Sequence, residues 1–249
     1  MKYEWKKQEK GLYGAKQIPT IITVPMQNYI MISGKGNPND EDFSNRVAAL
    51  YSLAYAIKMG FKVAATNVDA SKEVHDFSVY PLEGVWKQKQ GDDLIKEELE
   101  YTIMIRQPNF ITDSMVCKAM EVVKKKKPNP LYEEIHFDSM QDGKCIEVLH
   151  IGAYDDEPAS FEKMAQLAVK NDLKRDESCH REIYLYFIYL YLIALDYPTS
   201  AYPLSGNPIS DNPTTAIIYA QIPFKSDRTV LRVGMLRNRD YFILDLQGL

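Results

Sequence analysis

The six residues His180-Arg181-Glu182-Ile183-Tyr184-Leu185 alternate with a period of two, which constrains the chain to build a sheet with two unlike faces. Ile183 and Leu185 fall on one face, Glu182 and Tyr184 on the other. A carboxylate beside a tyrosine, opposite the aliphatic face, points to a sheet surface that meets a ligand. The plainer alternative is a solvated glutamate on an exposed face, because charged side chains are rarely fully buried unless paired.

Composition narrows the classes of partner. The 249 residues give ample length for a core, and 45% hydrophobic with 26% charged residues is ordinary for a soluble globular protein. A net charge of -4 provides no general attraction to nucleic acid. The one basic run, Lys124-Lys125-Lys126-Lys127, precedes Pro128 at the end of a helical pattern, where cations complement the helix dipole. Cys117, Cys145 and Cys179 have no metal-ligand spacing, and their odd number argues against a disulfide framework. The N-terminus lacks an apolar signal core. The longest apolar run, Ile183 to Leu195, is shorter than the roughly 18 residues of a membrane span. The expectation is a cytoplasmic protein without membrane or nucleic-acid partners.

Several strand and helix patterns follow one another along the chain. An arm runs to about Gln27. The strand Tyr29-Ile30-Met31-Ile32 then ends in the turn-rich Ser33-Gly34-Lys35-Gly36-Asn37-Pro38-Asn39. Asp40-Glu41-Asp42 opens a helix that carries Val47, Leu50, Tyr51, Ala54 and Ile57 and is expected to stop at Gly60. Val79 to Trp86 and Tyr101 to Arg106 read as strands, and Thr112 to Lys127 as a helix with Thr112 as N-cap. Lys144 to His150 is a further strand, followed by a Gly turn, the acids Asp155-Asp156-Glu157, and a helix from Pro158 with Phe161, Met164 and Leu167. Strand, Gly turn, acidic cap and helix thus occur twice. The implied fold is α+β: duplicated strand-helix-strand-strand units forming an antiparallel sheet, with helices on one face and a ligand groove.

Alternation assigns residues to that groove. If the aliphatic faces meet the helices, Val85, Ile103, Ile105, Ile183 and Leu185 are core. Gly84, Trp86, Met104 and Arg106 then turn the other way with Glu182 and Tyr184. This assembles an aromatic and methionine wall with one carboxylate and a glycine that opens space. Such a wall suits a flat, lipophilic ligand, cationic in the limit. The alternative is that Trp86 and Met104 are simply core.

The chain also resembles the GyrI-like small-molecule-binding family, specifically its stand-alone bacterial members. The resemblance rests on five segments in order: Ser33-Gly34-Lys35-Gly36-Asn37-Pro38, Tyr80-Pro81-Leu82-Glu83-Gly84-Val85-Trp86, Met104-Ile105-Arg106-Gln107-Pro108, His150-Ile151-Gly152-Ala153-Tyr154-Asp155-Asp156-Glu157-Pro158, and His180 to Leu185. Similar effector domains hold lipophilic cations with a groove glutamate and aromatics. Similar stand-alone proteins include hydrolases that open the cyclopropane ring of DNA-alkylating toxins, a detoxification. By that resemblance Trp86 packs the ligand, Glu182 activates water, and Tyr154 or Tyr184 assists, with no cofactor or metal. A carboxylate serves as general base when burial raises its pKa toward working pH. A non-catalytic effector-binding or drug-sequestering protein is the alternative. A third reading, on the family's name, is an interaction module that modulates topoisomerase activity. No helix-turn-helix is legible before residue 28, which argues against a complete transcription factor.

Other chemistry is weakly signalled. His75, His136, His150 and His180 lack metal spacing, and His150 reads as structural. Ser33-Gly34-Lys35-Gly36 lacks the spacing of a phosphate loop and reads as a turn. Capping explains Asp155-Asp156-Glu157 without a metal. Cys145, inside an apolar strand, reads as inert. The pattern breaks after Leu185, so residues 1–186 are assigned to the binding domain and 187–249 to an atypical extension. The extension is rich in Tyr-Pro and Asn-Pro turns, with apolar runs at Ala216 to Ile222, Thr229 to Val233 and Tyr241 to Leu246. An appended β-rich module, a poorly ordered extension and an altered reading frame are the competing explanations, and the last two together are favoured because the stretch lacks the regular alternation of an independent domain.

Overall fold

The computed structural model describes residues 1–67, 74–87, 96–152, 156–175, 180–185, 215–221, 224–225, 232–237 and 240–245, with backbone alone for Arg175 and from Thr215 onward. The N-terminal arm holds a two-residue strand β1 (Lys2–Tyr3), two single-turn helices α1 (Trp5–Gln8) and α2 (Lys10–Tyr13), and strand β2 (Thr20–Val24). Next come β3 (Gln27–Lys35), α3 (Glu41–Asn67), β4 (Asp76–Phe77), β5 (Leu82–Lys87), β6 (Glu100–Gln107), α4 (Asp113–Lys126) and β7 (His136–Met140). The later elements are β8 (Gly143–Gly152), α5 (Glu157–Lys170), β9 (Lys174–Arg175), β10 (His180–Tyr184), β11 (Thr215–Gln221), β12 (Phe224–Lys225), β13 (Arg232–Arg237) and β14 (Asp240–Asp245).

Eight strands form one sheet in the order β2-β8-β11-β10-β5-β6-β3-β7, and every neighbouring pair is antiparallel. The α+β class is therefore as the sequence implies. β5 and β10 meet at the centre, which brings the segments around Trp86 and Glu182 side by side although almost 100 residues separate them. Thr215–Gln221, from the stretch set apart as an extension, lies between β8 and β10. The last two apolar runs overlap β13 and β14, which pair with each other.

Among the described residues α3 supplies more of the core than any other single element. Phe43, Val47, Leu50, Ala54, Ile57, Phe61 and Ala65 recur every three or four residues and are all buried, the first six in one cluster with Ile30, Ile32, Ile103 and Ile105 of the sheet. By length and composition alone α3 would also pass as a membrane span. Its apolar stripe is instead the face packed on the sheet. The helix does not stop at Gly60 but runs seven residues further, to Asn67. An interior glycine costs about 1 kcal/mol relative to alanine. Burying one large apolar side chain returns about 1.5–3 kcal/mol, and Phe61 packs on both Phe77 and Phe110 beyond that glycine. α4 begins after Thr112 as expected, although that side chain makes no capping hydrogen bond.

The helices lie on the face that bears Trp86, which corrects the assumption that they cover the opposite one. Phe43 of α3 stacks on Trp86 and Phe161 of α5 meets His180 edge-on. The far face carries a smaller apolar cluster of Tyr29, Met31, Val85 and Met104. The arm closes over part of it: the Trp5 indole donates to the Val79 carbonyl at 2.9 Å, and the Tyr13 hydroxyl to Glu83 at 3.2 Å.

Candidate functional site

The β5–β10 ladder builds the site. Trp86 sits opposite His180, Gly84 opposite Glu182, and Leu82 opposite Tyr184. Directly opposed residues share a face, so these six side-chain positions form one patch beneath α3 and α5. The solvated-glutamate alternative fails: Glu182 is 7% exposed, Trp86 8% and Tyr184 5%.

A chain of hydrogen bonds links them. The Trp86 indole N–H donates to the Tyr184 hydroxyl at 3.0 Å, and that hydroxyl donates to Glu182 Oε2. His180 Nε2 lies 2.9 Å from Glu182 Oε1. Each carboxylate oxygen thus has a partner, while a carboxylate offers about four lone-pair positions in all. Among the described residues, two of these positions are left open.

Gly84 makes the chain possible. A Cβ at that position would stand 2.8 Å from Trp86 Nε1, so the indole leans back over the glycine to reach Tyr184. Phe43 and Tyr101 complete the aromatic wall, with ring centres 5.8 and 5.3 Å from Trp86. Burial, and after it the charge of Asp42, pushes the Tyr101 phenol up to about 12, so it stays a neutral hydroxyl at physiological pH.

Two of the groove residues expected from sequence are elsewhere. Met104 and Arg106 lie on the far face. The register pairs Gly84 with Ile103 and Trp86 with Tyr101, so the odd-numbered residues of β6 accompany Trp86. An offset of one residue moves a whole strand's side chains to the other face. Ile103 and Ile105 accordingly sit on the Trp86 face, not opposite it. Met104 is fully buried beside Met31, and Arg106 ion-pairs with Glu9 and lies over the Tyr80 ring. Trp86, Gly84, Glu182 and Tyr184 do come together. Tyr154 falls outside the described residues. His180, Phe43 and Tyr101 are site members that the sequence reading did not include.

The far face holds a second, fully buried polar cluster. Arg181 Nη1 donates to Tyr29 at 2.9 Å and to Glu83 at 3.4 Å, and Nη2 donates to Asp142 at 2.9 Å. A chamber of about 20 Å³ lies among Tyr13, Glu83, Asp142, Glu147, Arg181 and Ile183, room for one water. Burial raises the carboxyl pKa of Glu83 and Asp142, and pushes Glu147 up to about 7. An open groove of about 450 Å³ runs past Ser33, Val85 and Thr102 on the same far face. Cys145 is buried and burial pushes its thiol up to about 12, in keeping with an unreactive role. His150 Nδ1 lies 3.0 Å from the Ser160 hydroxyl, joining β8 to α5. Among the described residues no group of three or more His, Cys, Asp or Glu is arranged to hold a metal.

Residues 18–187 match the sequence model of the GyrI-like small molecule binding domain. No curated protein matches the chain. Three crystal structures from Listeria innocua are similar over 90% of this chain and all of theirs. One is an uncharacterized conserved protein, 29% identical with a TM-score of 0.71. The other two are described as hydrolases, at 28% and 27% identity with TM-scores of 0.71 and 0.69.

Proposed function

The chain belongs to the GyrI-like family of small-molecule-binding domains, and from that premise we propose that it takes up a flat, lipophilic compound against Trp86 and hydrolyses it with Glu182 as base. The observation that carries this reading is the buried Trp86–Tyr184–Glu182 chain beside a glycine. A carboxylate held between two donors and walled by aromatics has the parts needed to orient a polarised, planar ligand and a water. The two similar hydrolases from Listeria add support at the level of reaction class.

The substrate class proposed is a cyclopropane-bearing DNA alkylator, detoxified by ring opening. In that reaction Glu182 accepts a proton from water as the water oxygen bonds to a ring carbon. The ring C–C bond breaks, its electron pair moves into the conjugated carbonyl system, and a proton then neutralises the resulting oxyanion. General-base assistance of this kind is worth about 10²–10⁴-fold in rate.

A second reading, binding without turnover, is supported by the tight enclosure of Glu182, because water has little access to a carboxylate only 7% exposed. Both readings place the ligand on Trp86. Titrating a planar lipophilic cation into the Trp5→Phe variant tests them together, since Trp86 is then the only tryptophan. Saturable quenching is expected. An indole signal unchanged across the titration would remove Trp86 from the site.

A further inference from the structure

We infer that His180 is the positioning residue of this site: through Nε2–H it fixes the Glu182 carboxylate in the orientation used on the ligand. The inference rests on the reading that Glu182 faces the ligand. Three observations support it. His180 and Glu182 are two residues apart on one strand, so both point toward α5 and α3, and Nε2 lies 2.9 Å from Oε1. An ionised carboxylate only accepts, so the ring nitrogen facing it carries the proton. The Phe161 ring meets the imidazole edge-on, with ring centres 5.2 Å apart, and sets its plane.

The division of labour follows from the two oxygens. Tyr184 holds Oε2 and is itself tied to Trp86, so that bond ties the carboxylate to the aromatic wall. His180 holds Oε1 from the opposite side, and its side chain is 25% exposed against 9% for Glu182. Two donors on two oxygens fix the carboxylate's rotation. With Tyr184 alone, the group would turn about its last bond, and the remaining lone pairs would lose their aim. Placement within about 0.5 Å is what separates an efficient site from one that merely contains the right residues.

The test compares His180→Ala and His180→Gln in the full chain. Glutamine places an N–H donor close to where imidazole Nε2 stands, whereas alanine places none. The chain has two tryptophans, so ¹⁵N labelling gives two indole signals, one of which (Trp5) is remote and serves as control. The alanine variant is expected to move the Trp86 indole signal and leave that of Trp5. It is also expected to lower kcat on a cyclopropane-bearing alkylator about tenfold or more, with KM changed less than about twofold. The glutamine variant should restore both. A Trp86 signal unmoved in the alanine variant, or a glutamine variant no better than alanine, would overturn the inference. If the unmutated protein turns over no such compound, the hydrolase reading fails, while the indole comparison repeated in a Tyr184→Phe background still decides whether His180 positions Glu182. A shift relayed through Glu182 and Tyr184 is lost there. A shift that persists comes from the cross-strand contact of His180 with Trp86 and would overturn the inference.

Discussion

Replacing Glu147 by glutamine is predicted to make the protein more stable at alkaline pH while leaving it unchanged in acid. Glu147 sits on the far face of the sheet, directly opposite Thr20 of β2, in the chamber shared with Glu83, Asp142 and Arg181. Burial raises its carboxyl from an ordinary 4.5 to about 7. A raised acid favours the protonated fold. Its contribution is therefore fully present below the unfolded value of 4.5, is lost as pH climbs to about 7, and stays lost above that. A shift of that size corresponds to about 3 kcal/mol, and partial solvent relaxation lowers the expectation to about 2–3 kcal/mol. Glutamine has the same shape and never ionises, so it escapes the cost. For a chain of this length each kcal/mol moves Tm by about 2–4 °C. Thermal melts at pH 4 and pH 8 should show the variant level with the unmutated protein at pH 4 and about 5–10 °C above it at pH 8. Glu83 and Asp142 are raised in the same direction, and their share cancels in the difference. A difference between the two proteins that is the same at both pH values would refute the reasoning.

Three further outcomes are expected. Gly84→Ala brings a Cβ within 2.8 Å of the Trp86 indole nitrogen, so it should cost about 1–3 kcal/mol and shift the tryptophan emission; an unaltered spectrum and melt would mean the indole does not lean on that residue. Arg106→Met should destabilise by about 3–5 kcal/mol, because Glu9 loses its buried partner. In protein that remains folded it should leave ligand affinity unchanged, and a specific loss of affinity would put Arg106 back on the ligand face. A chain ending at residue 214 removes the strand that joins β8 to β10 and should lose cooperative melting by circular dichroism; a two-state melt at the original temperature would show β11 to be dispensable.

The reading from sequence succeeded where a single strand carries its own pattern. Glu182, Tyr184, Trp86 and Gly84 share a face because alternation within β5 and within β10 requires it. The assumption that every strand turns its aliphatic face to the helices holds for β6 but fails for β5 and β10, whose Val85 and Ile183 lie on the far face. Nothing in Tyr101 to Arg106 reveals that Tyr101, not Thr102, stands opposite Trp86, and so Met104 and Arg106 were placed on the wrong face. The extension of α3 past Gly60 depends on Phe77 and Phe110, which reach Phe61 only in the folded chain. The buried Arg181–Glu83–Asp142 cluster draws on three separate segments and has no local signature. His180 was within reach: two residues before Glu182 on an alternating strand, it had to share that residue's face. The division after Leu185 followed a change in composition, whereas strand pairing depends on backbone hydrogen bonds that composition does not report. Thr215–Gln221 takes its place in the sheet through such pairing.

The central claim is that Glu182 does chemistry on a ligand lying against Trp86. Mass-spectrometric analysis of a cyclopropane-bearing DNA alkylator after incubation with the folded protein tests it most directly, beside Glu182→Gln. A ring-opened product one water heavier, formed by the unmutated protein and not by the variant, is the predicted result. Unchanged compound with both proteins, or equal product from both, would contradict it.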